Sequence, residues 1–177
     1  MSEKPAGTDP PDFAAVVEQH WDGVFRLLHT LSGDVHETED LTQDTFLKAL
    51  DRWGSFQPGT NLRAWLLRIA TNAFFDGRRR RQRARQRLAV LRQTAPTTAP
   101  PPGHELDTAE QSALARAALE ELTELTRLVF HLRVQEELSF KEIAELAGTT
   151  EQAARWHMHQ ARAKLLKRLE GEAPEGG

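Results

Sequence analysis

Trp65, Arg68, Asn72 and Arg79 fall at i, i+3, i+7 and i+14 along the stretch "LRAWLLRIATNAFFDGRRRR". On a helix that spacing makes one stripe. Its residue types suit a single-stranded nucleic acid: a base stacks on the indole, phosphates pair with guanidinium groups, and an amide reads a base edge. A core position for Trp65, with Asn72 merely solvated, explains the same pattern equally well. A second group sits near the other end, where "RWHMHQARAKLLKRL" (Arg155 to Leu169) places a tryptophan and two histidines on a basic helix. Ala154, Met158, Ala161 and Leu165 make the buried stripe of that helix, at about 100° per residue. Gln152, Trp156, His159 and Ala163 lie nearly opposite, flanked by Arg155 and Lys167. On that side Gln152 suits adenine, Arg155 and Arg162 suit guanine or phosphate, and Trp156 suits thymine methyls or sugar.

Catalysis finds no comparable footing. There is no P-loop and no GxGxxG fingerprint, and the five serines are scattered without a nucleophile elbow. His157 and His159 stand about 200° apart around their helix, so they do not share a metal. His20, His29 and His36 show no ligand spacing either. The absence of cysteine excludes disulfides, thiol redox sensing and Cys-based zinc sites. The expectation is a protein that is not an enzyme, with no metal and no cofactor.

The elements that must position these residues are all helical. "PDFAAVVEQHWDGVFRLLHTLSG" spaces Phe13, Val17, Trp21, Val24, Leu28 and Leu31 as one core-facing helix side, ended by Gly33. Asp34, with Glu37 three residues on, caps the next helix. Around that helix Thr42, Phe46, Ala49, Leu50 and Trp53 cluster toward the core. The opposite side carries Asp40, Gln43, Asp44, Leu47 and Asp51, a leucine among acids that suits docking to a basic helix, although a single exposed leucine is also common by chance. A turn-rich loop at Gly54, Pro58 and Gly59 follows, then an N-cap at Thr60 or Asn61. The helix after it turns Leu62, Leu66, Ile69 and Ala73 inward.

Proline then breaks the chain. "RQTAPTTAPPPGHELDT" is almost free of apolar residues and reads as an extended tether. At about 3.1 Å per residue, some 15 such residues reach roughly 45 Å. Beyond it Leu114, Ala117, Ala118 and Leu122 mark one helix, and Leu128, Val129, Leu132 and Val134 the core side of another. Ser139 with Glu142 forms a capping box, as does Thr149 with Gln152. The short helix between them, with Phe140, Ile143, Ala144 and Leu146, ends at Gly148. Short helix, glycine turn and longer basic helix are helix-turn-helix grammar. The domain expectation is therefore an N-terminal segment over 1–11, a helical domain over 12–91, a tether over 92–108, a four-helix helix-turn-helix domain over 109–170 and a tail over 171–177.

Charge is distributed as unevenly as structure. The formal net charge is −3, yet Glu3 to Asp51 holds eleven acids against three bases, and Arg78 to Arg87 packs seven arginines into ten positions. Such crowding fits a polyanion contact, a solvated helix end being the blander reading. No run of about 18 apolar residues is long enough to span a bilayer, and "MSEKPAGTDPPDF" has no apolar signal core, so no membrane insertion and a cytoplasmic location are expected.

"TEDLTQDTFLKAL", followed by F-x-P-G-x-N-L-R-A-W-L-x-R-I-A-x-N-x-x-x-D-x-R-R, resembles region two of bacterial RNA polymerase sigma factors of the extracytoplasmic-function (ECF) group, from Phe13 to about Arg87. The resemblance implies that Asp40, Gln43, Asp44, Leu47 and Asp51 meet the clamp helices of the largest polymerase subunit. It also implies that Phe56, Thr60, Asn61 and Arg63, with Trp65, Arg68, Asn72, Arg78 and Arg79, capture the melted minus-ten element. The second domain resembles region four, through E-I-A-E-L and A-R-A-K-L. That implies contact with the flap of the second-largest subunit and, through Gln152, Arg155, Trp156, His159 and Arg162, with the minus-thirty-five element. Ala153, Ala154 and Trp156 depart from the commoner threonine, valine and small polar residue, so no promoter sequence is transferred. An anti-sigma factor is a further implied partner. The competing reading is a stand-alone helix-turn-helix regulator whose first domain only binds a partner or dimerises.

Overall fold

A computed structural model describes residues 12–91 and 119–170. The expected N-terminal segment, tether and tail lie outside them, as do Leu114, Ala117 and Ala118. The chain divides into two compact units, one within Met1–Ala95 and one within Pro96–Gly177. Every regular element among the described residues is a helix.

In the first unit α1 (Phe13–Ser32), α2 (Val35–Asp51) and α3 (Leu62–Leu91) pack pairwise on one another, with a short 3₁₀ turn at Trp53–Ser55. Asp12 caps α1 by accepting from the Ala15 backbone N–H at 3.2 Å, and Gly33 ends it in the left-handed conformation that a Cβ disfavours. Val24, Leu27, Leu28 and Leu31 are buried on α1, and Leu66, Leu67, Ile69, Ala70, Ala73 and Phe74 meet them from α3. Phe13, Val17 and Trp21 lie only at the rim of this core. Asp34 accepts from the Glu37 backbone N–H at 2.7 Å, but the Glu37 carboxylate bonds Arg81 of α3 instead of closing a capping box.

The inner side of α2 differs from the apolar pattern. Its buried residues are Thr38, Thr42, Thr45, Phe46 and Ala49. The three hydroxyls donate to backbone carbonyls four residues back, Thr38 to Asp34 at 2.6 Å, Thr42 to Thr38 at 2.7 Å and Thr45 to Leu41 at 2.7 Å. Satisfied in this way, threonine buries like a small branched apolar residue. Counting Thr38 and Thr45 as core rotates the buried face away from Leu50. That is why Leu50, expected inside, is 43% exposed.

The second unit holds α4 (Glu124–Val134), α5 (Phe140–Ala147) and α6 (Glu151–Glu170), with α6 packed on both others. Leu122, Leu128, Val129, Leu132, Leu138, Ile143, Leu146, Ala154, Met158 and Ala161 form its core, with Leu165 half-buried. Val134 is a correction: it lies about 200° around α4 from Leu132 and is exposed. His131 is buried in that core, its Nε2 3.6 Å from the Glu136 carboxylate. The capping box at Ser139 and Glu142 forms, with the Ser139 hydroxyl and backbone N–H both donating to Glu142. The next cap falls one residue later than expected. The Thr149 N–H returns to the Ala144 carbonyl at 3.0 Å to finish α5, and Thr150 Oγ1 accepts from the Ala153 N–H at 3.1 Å to begin α6. Thr149 is thus used by the left-handed turn at Gly148, which needs that N–H to close.

Between α4 and α5 the chain reverses at Glu137, the one non-glycine residue with positive φ (53°) among those described. A Cβ there costs roughly 1–2 kcal/mol, partly offset in glycine by chain entropy. Glu137→Gly is therefore expected to stabilise the protein by about 0.5–1 kcal/mol, read as a higher denaturant midpoint at unchanged slope. A lower midpoint would show that the glutamate side chain makes a compensating contact.

Candidate nucleic-acid interface

The stripe expected to meet nucleic acid begins where the chain enters α3. Asn61 Oδ1 accepts from the Ala64 N–H at 3.0 Å and fixes the first turn, while the Thr60 hydroxyl donates to the Gln57 carbonyl at 2.7 Å. Of the two N-cap candidates the structure thus uses Asn61. Both polar side chains at the loop are engaged in holding the helix start.

Trp65 is half-buried. Its ring meets Trp53 edge-on at 6.0 Å and Phe56 at 5.3 Å, and Trp53 in turn meets Phe13 edge-on at 5.8 Å. These rings form one aromatic wall closing the loop onto α1 and α3, and Phe56 belongs to it. Arg68 and Asn72 are exposed beside that wall, and Arg78 and Arg79 follow on the next turns. Arg79 pairs with Asp76 at 2.8 Å. That hydrogen bond, together with the charges of Arg79, Arg80 and Lys48, holds the Asp76 carboxyl below its ordinary range. Arg63 stands apart from this group. It lies about 140° around α3 from Arg68 and reaches back over α1, with Nη2 3.7 Å from where a Cβ on Gly23 would sit. There it lines a cleft of about 200 Å³ with His20 and Arg26. Burial, reinforced by the Arg63 charge, lowers the pKa of His20.

The outer side of α2 brings the acidic group together. Asp40, Gln43, Leu47 and Asp51 are exposed, Leu47 at 63%, and Asp44 binds Lys48 at 2.6 Å across one turn. Leu50 joins Leu47 there. The sequence pattern conceals it because threonine, by type, reads as a polar boundary.

In the second unit α5, the three-residue turn 148–150 and α6 make the helix-turn-helix. Gln152, Arg155, Trp156, His159 and Arg162 are all exposed on one side of α6, Trp156 at 57%. Arg155 is held in two ways, by the Glu151 carboxylate one turn back and by the Phe140 ring of α5, 4.7 Å from its guanidinium carbon. His157, between the two faces, is a structural residue: its Nδ1 lies 2.9 Å from Thr126 Oγ1, and burial lowers its pKa. The folded unit therefore binds fewer protons than the unfolded chain just below the ordinary histidine value near 6.5. Stability rises with pH across that window and is lost on acidification. Thermal unfolding between about pH 7.5 and 5.5 is expected to decline less in His157→Gln than in the parent chain. Equal declines would remove His157 as a contributor.

No group of three or more potential ligands converges on a metal position among the described residues. None of the described helices is long and apolar enough to cross a membrane.

Sequence and structure comparisons bear on the same two units. Residues 16–84 match the family described as Sigma-70 region 2, and residues 112–165 match Sigma-70, region 4. The chain is 36% identical over 166 residues to the ECF RNA polymerase sigma factor SigE of Mycolicibacterium smegmatis, covering 93% of this chain and 64% of that protein's length. It is 30% identical over 152 residues to the RNA polymerase sigma factor YlaC of Bacillus subtilis, covering 85% of this chain and 88% of that one. Among solved structures, the sigma factor RpoE from Bartonella quintana, crystallised with the anti-sigma factor NepR, superposes with a TM-score of 0.72 at 26% identity, covering 91% of this chain and 98% of that one. The chain belongs to the ECF group of RNA polymerase sigma factors.

Proposed function

We propose that this sigma factor binds core RNA polymerase through the outer face of α2, melts and holds the minus-ten element with α3 and the loop before it, and reads the minus-thirty-five element with α6. The observation that carries the reading is the pairing, within one unit, of an acidic face around an exposed leucine with an aromatic and basic stripe on the neighbouring helix. A repressor that only docks on duplex has no use for a single-strand stripe. Asp40, Gln43, Asp44, Leu47, Leu50 and Asp51 contact the clamp helices of the largest subunit, and the second unit sits on the flap of the second-largest. Arg68 and Asn72 contact the melted strand, backed by the wall of Phe56 and Trp65. Arg63, turned toward α1, supports this site from behind rather than lining it. Gln152, Arg155, Trp156 and His159 enter the major groove, with Arg162 at the edge of the same face. The protein acts in the cytoplasm as a non-enzymatic subunit and needs no cofactor. The complex formed by the Bartonella relative supports an anti-sigma factor as a further partner.

The reading is tested by adding the purified protein to bacterial core polymerase with a pool of genomic promoter fragments and sequencing transcript 5′ ends. Starts that require the protein and share two upstream elements support it. If the protein neither binds core nor yields dependent starts, the stand-alone regulator takes its place.

A further inference from the structure

Phe140 opens α5, and its ring lies between two cations contributed by the neighbouring helices. At about 100° per residue it falls between Ile143 and Ala144, both buried, and so belongs by phase to the core side of its helix. It is nevertheless only half-buried. The cause is its place in the first turn: Cα–Cβ bonds tilt toward the N-terminus of a helix, so a ring at the first position overhangs the end of the core. Two guanidinium groups cover that overhang. Arg133 of α4 brings its guanidinium carbon to 5.1 Å from the ring centroid, and Arg155 of α6 brings its own to 4.7 Å. The ring is itself fixed on both sides of its attachment. The capping box at Ser139 sets the turn from which it projects, and Arg133 donates from Nη1 to the Leu138 carbonyl at 2.8 Å, one residue before that box.

An aromatic ring holds a guanidinium through its π-face and consumes none of the five N–H donors. The Glu151 carboxylate engages Nη2 of Arg155, and the side chain is still 59% exposed. Donors thus remain open on a group whose rotamer freedom is already restricted. We infer that Phe140 is a positioning residue for promoter reading: it aims the Arg155 guanidinium so that its remaining N–H groups fork onto O6 and N7 of a guanine in the minus-thirty-five element. The inference rests on the function proposed above, in which α6 enters the major groove. Phe140 acts through Arg155 and touches no base itself. Ordering a free arginine on binding costs roughly two- to tenfold in affinity, and here the fold has done the ordering beforehand.

The test uses holoenzyme reconstituted with the full chain and a promoter, found by start mapping, whose upstream element is varied one position at a time. Arg155→Ala is expected to abolish the preference for guanine at one position, which identifies the base that Arg155 reads. Phe140→Leu is then expected to lower the preference at that position alone by roughly two- to tenfold, and to have no further effect there when Arg155 is already alanine. Phe140→Tyr, which keeps the ring, retains the preference. Because Phe140 is half-buried, a second variant guards against loss of folding: trifluorophenylalanine at position 140 keeps the shape of the ring but draws electron density from its face, and is expected to lower the same preference. Denaturant unfolding of each chain is followed in parallel. An unchanged guanine preference in both the leucine and the fluorinated chains overturns the inference. So does an equal loss at every position, or a loss that persists in the Arg155→Ala background, since either makes Phe140 a packing residue. If Arg155→Ala alters no base preference, or the parent chain directs no starts, the functional reading fails and the inference falls with it; that result is distinguishable because it is seen before Phe140 is touched.

Discussion

Replacing Asp44 and Leu47 together with alanine is expected to weaken binding to core polymerase roughly thirty- to a hundredfold, with thermal stability nearly unchanged. Leu47 is 63% exposed, so its truncation removes little buried apolar surface. Asp44 makes one exposed ion pair along the helix, worth a few tenths of a kcal/mol, and alanine returns a similar amount in helix propensity. An apolar residue ringed by charge is the form that an interface anchor takes, and truncating a central anchor of this kind costs more than about 1 kcal/mol. Titration of fluorescent protein with core polymerase checks the affinity, and a melting curve checks the fold. If the double variant binds like the parent, the docking surface is not this face of α2. Leu50→Ala provides an internal comparison, because that side chain sits on the same exposed face at the edge of the core.

The second large effect is expected on α6, where adjacent positions separate reading from folding. Trp156→Ala should cost promoter selection about 1–3 kcal/mol for each base that the indole reads, or roughly ten- to a hundredfold in discrimination, without lowering stability. The indole is 57% exposed, and its one ring contact among the described residues is edge-on to His157 at 4.9 Å. Met158→Ala, two residues on, should instead destabilise the unit by about 2–5 kcal/mol, since Met158 is buried beneath the helix. Start-site sequencing with each variant, alongside denaturant unfolding, distinguishes the two. Loss of stability in Trp156→Ala comparable to that in Met158→Ala would make Trp156 a packing residue.

The amphipathic faces of α1, α3 and α6 are legible in the sequence because their cores are built from leucine, alanine and methionine at helical spacing. The inner side of α2 is not, because a threonine that folds its hydroxyl onto its own helix cannot be told from a solvated one by residue type. That single ambiguity misplaces Leu50 and hides one of two apolar residues on the proposed docking face. His131 is hidden for a related reason: nothing in its neighbours announces a buried partner five residues on. Arg63 shows a different limit. Its type and position fit the minus-ten stripe, but helical phase turns it toward α1, and the distinction lies in a rotation about the axis rather than in the motif. Thr149 and Thr150 are equally good caps by type, and only the closing of the Gly148 turn chooses between them.

Among the buried residues of α2, Phe46 is the only large apolar one. The three threonine hydroxyls donate within their own helix, and of them Thr38 also meets a hydroxyl of α1, that of Ser32 at 2.8 Å, while Glu37 pairs with Arg81 of α3. By residue type, α2 contributes less apolar surface to the core of the first unit than α1 or α3 does, and it carries the proposed docking face. A partner that grips α2 at this face is expected to steady its seat in the unit, with part of the binding energy spent on that ordering. The first unit is then expected to be more rigid when bound than when free, read as slower amide exchange along α2.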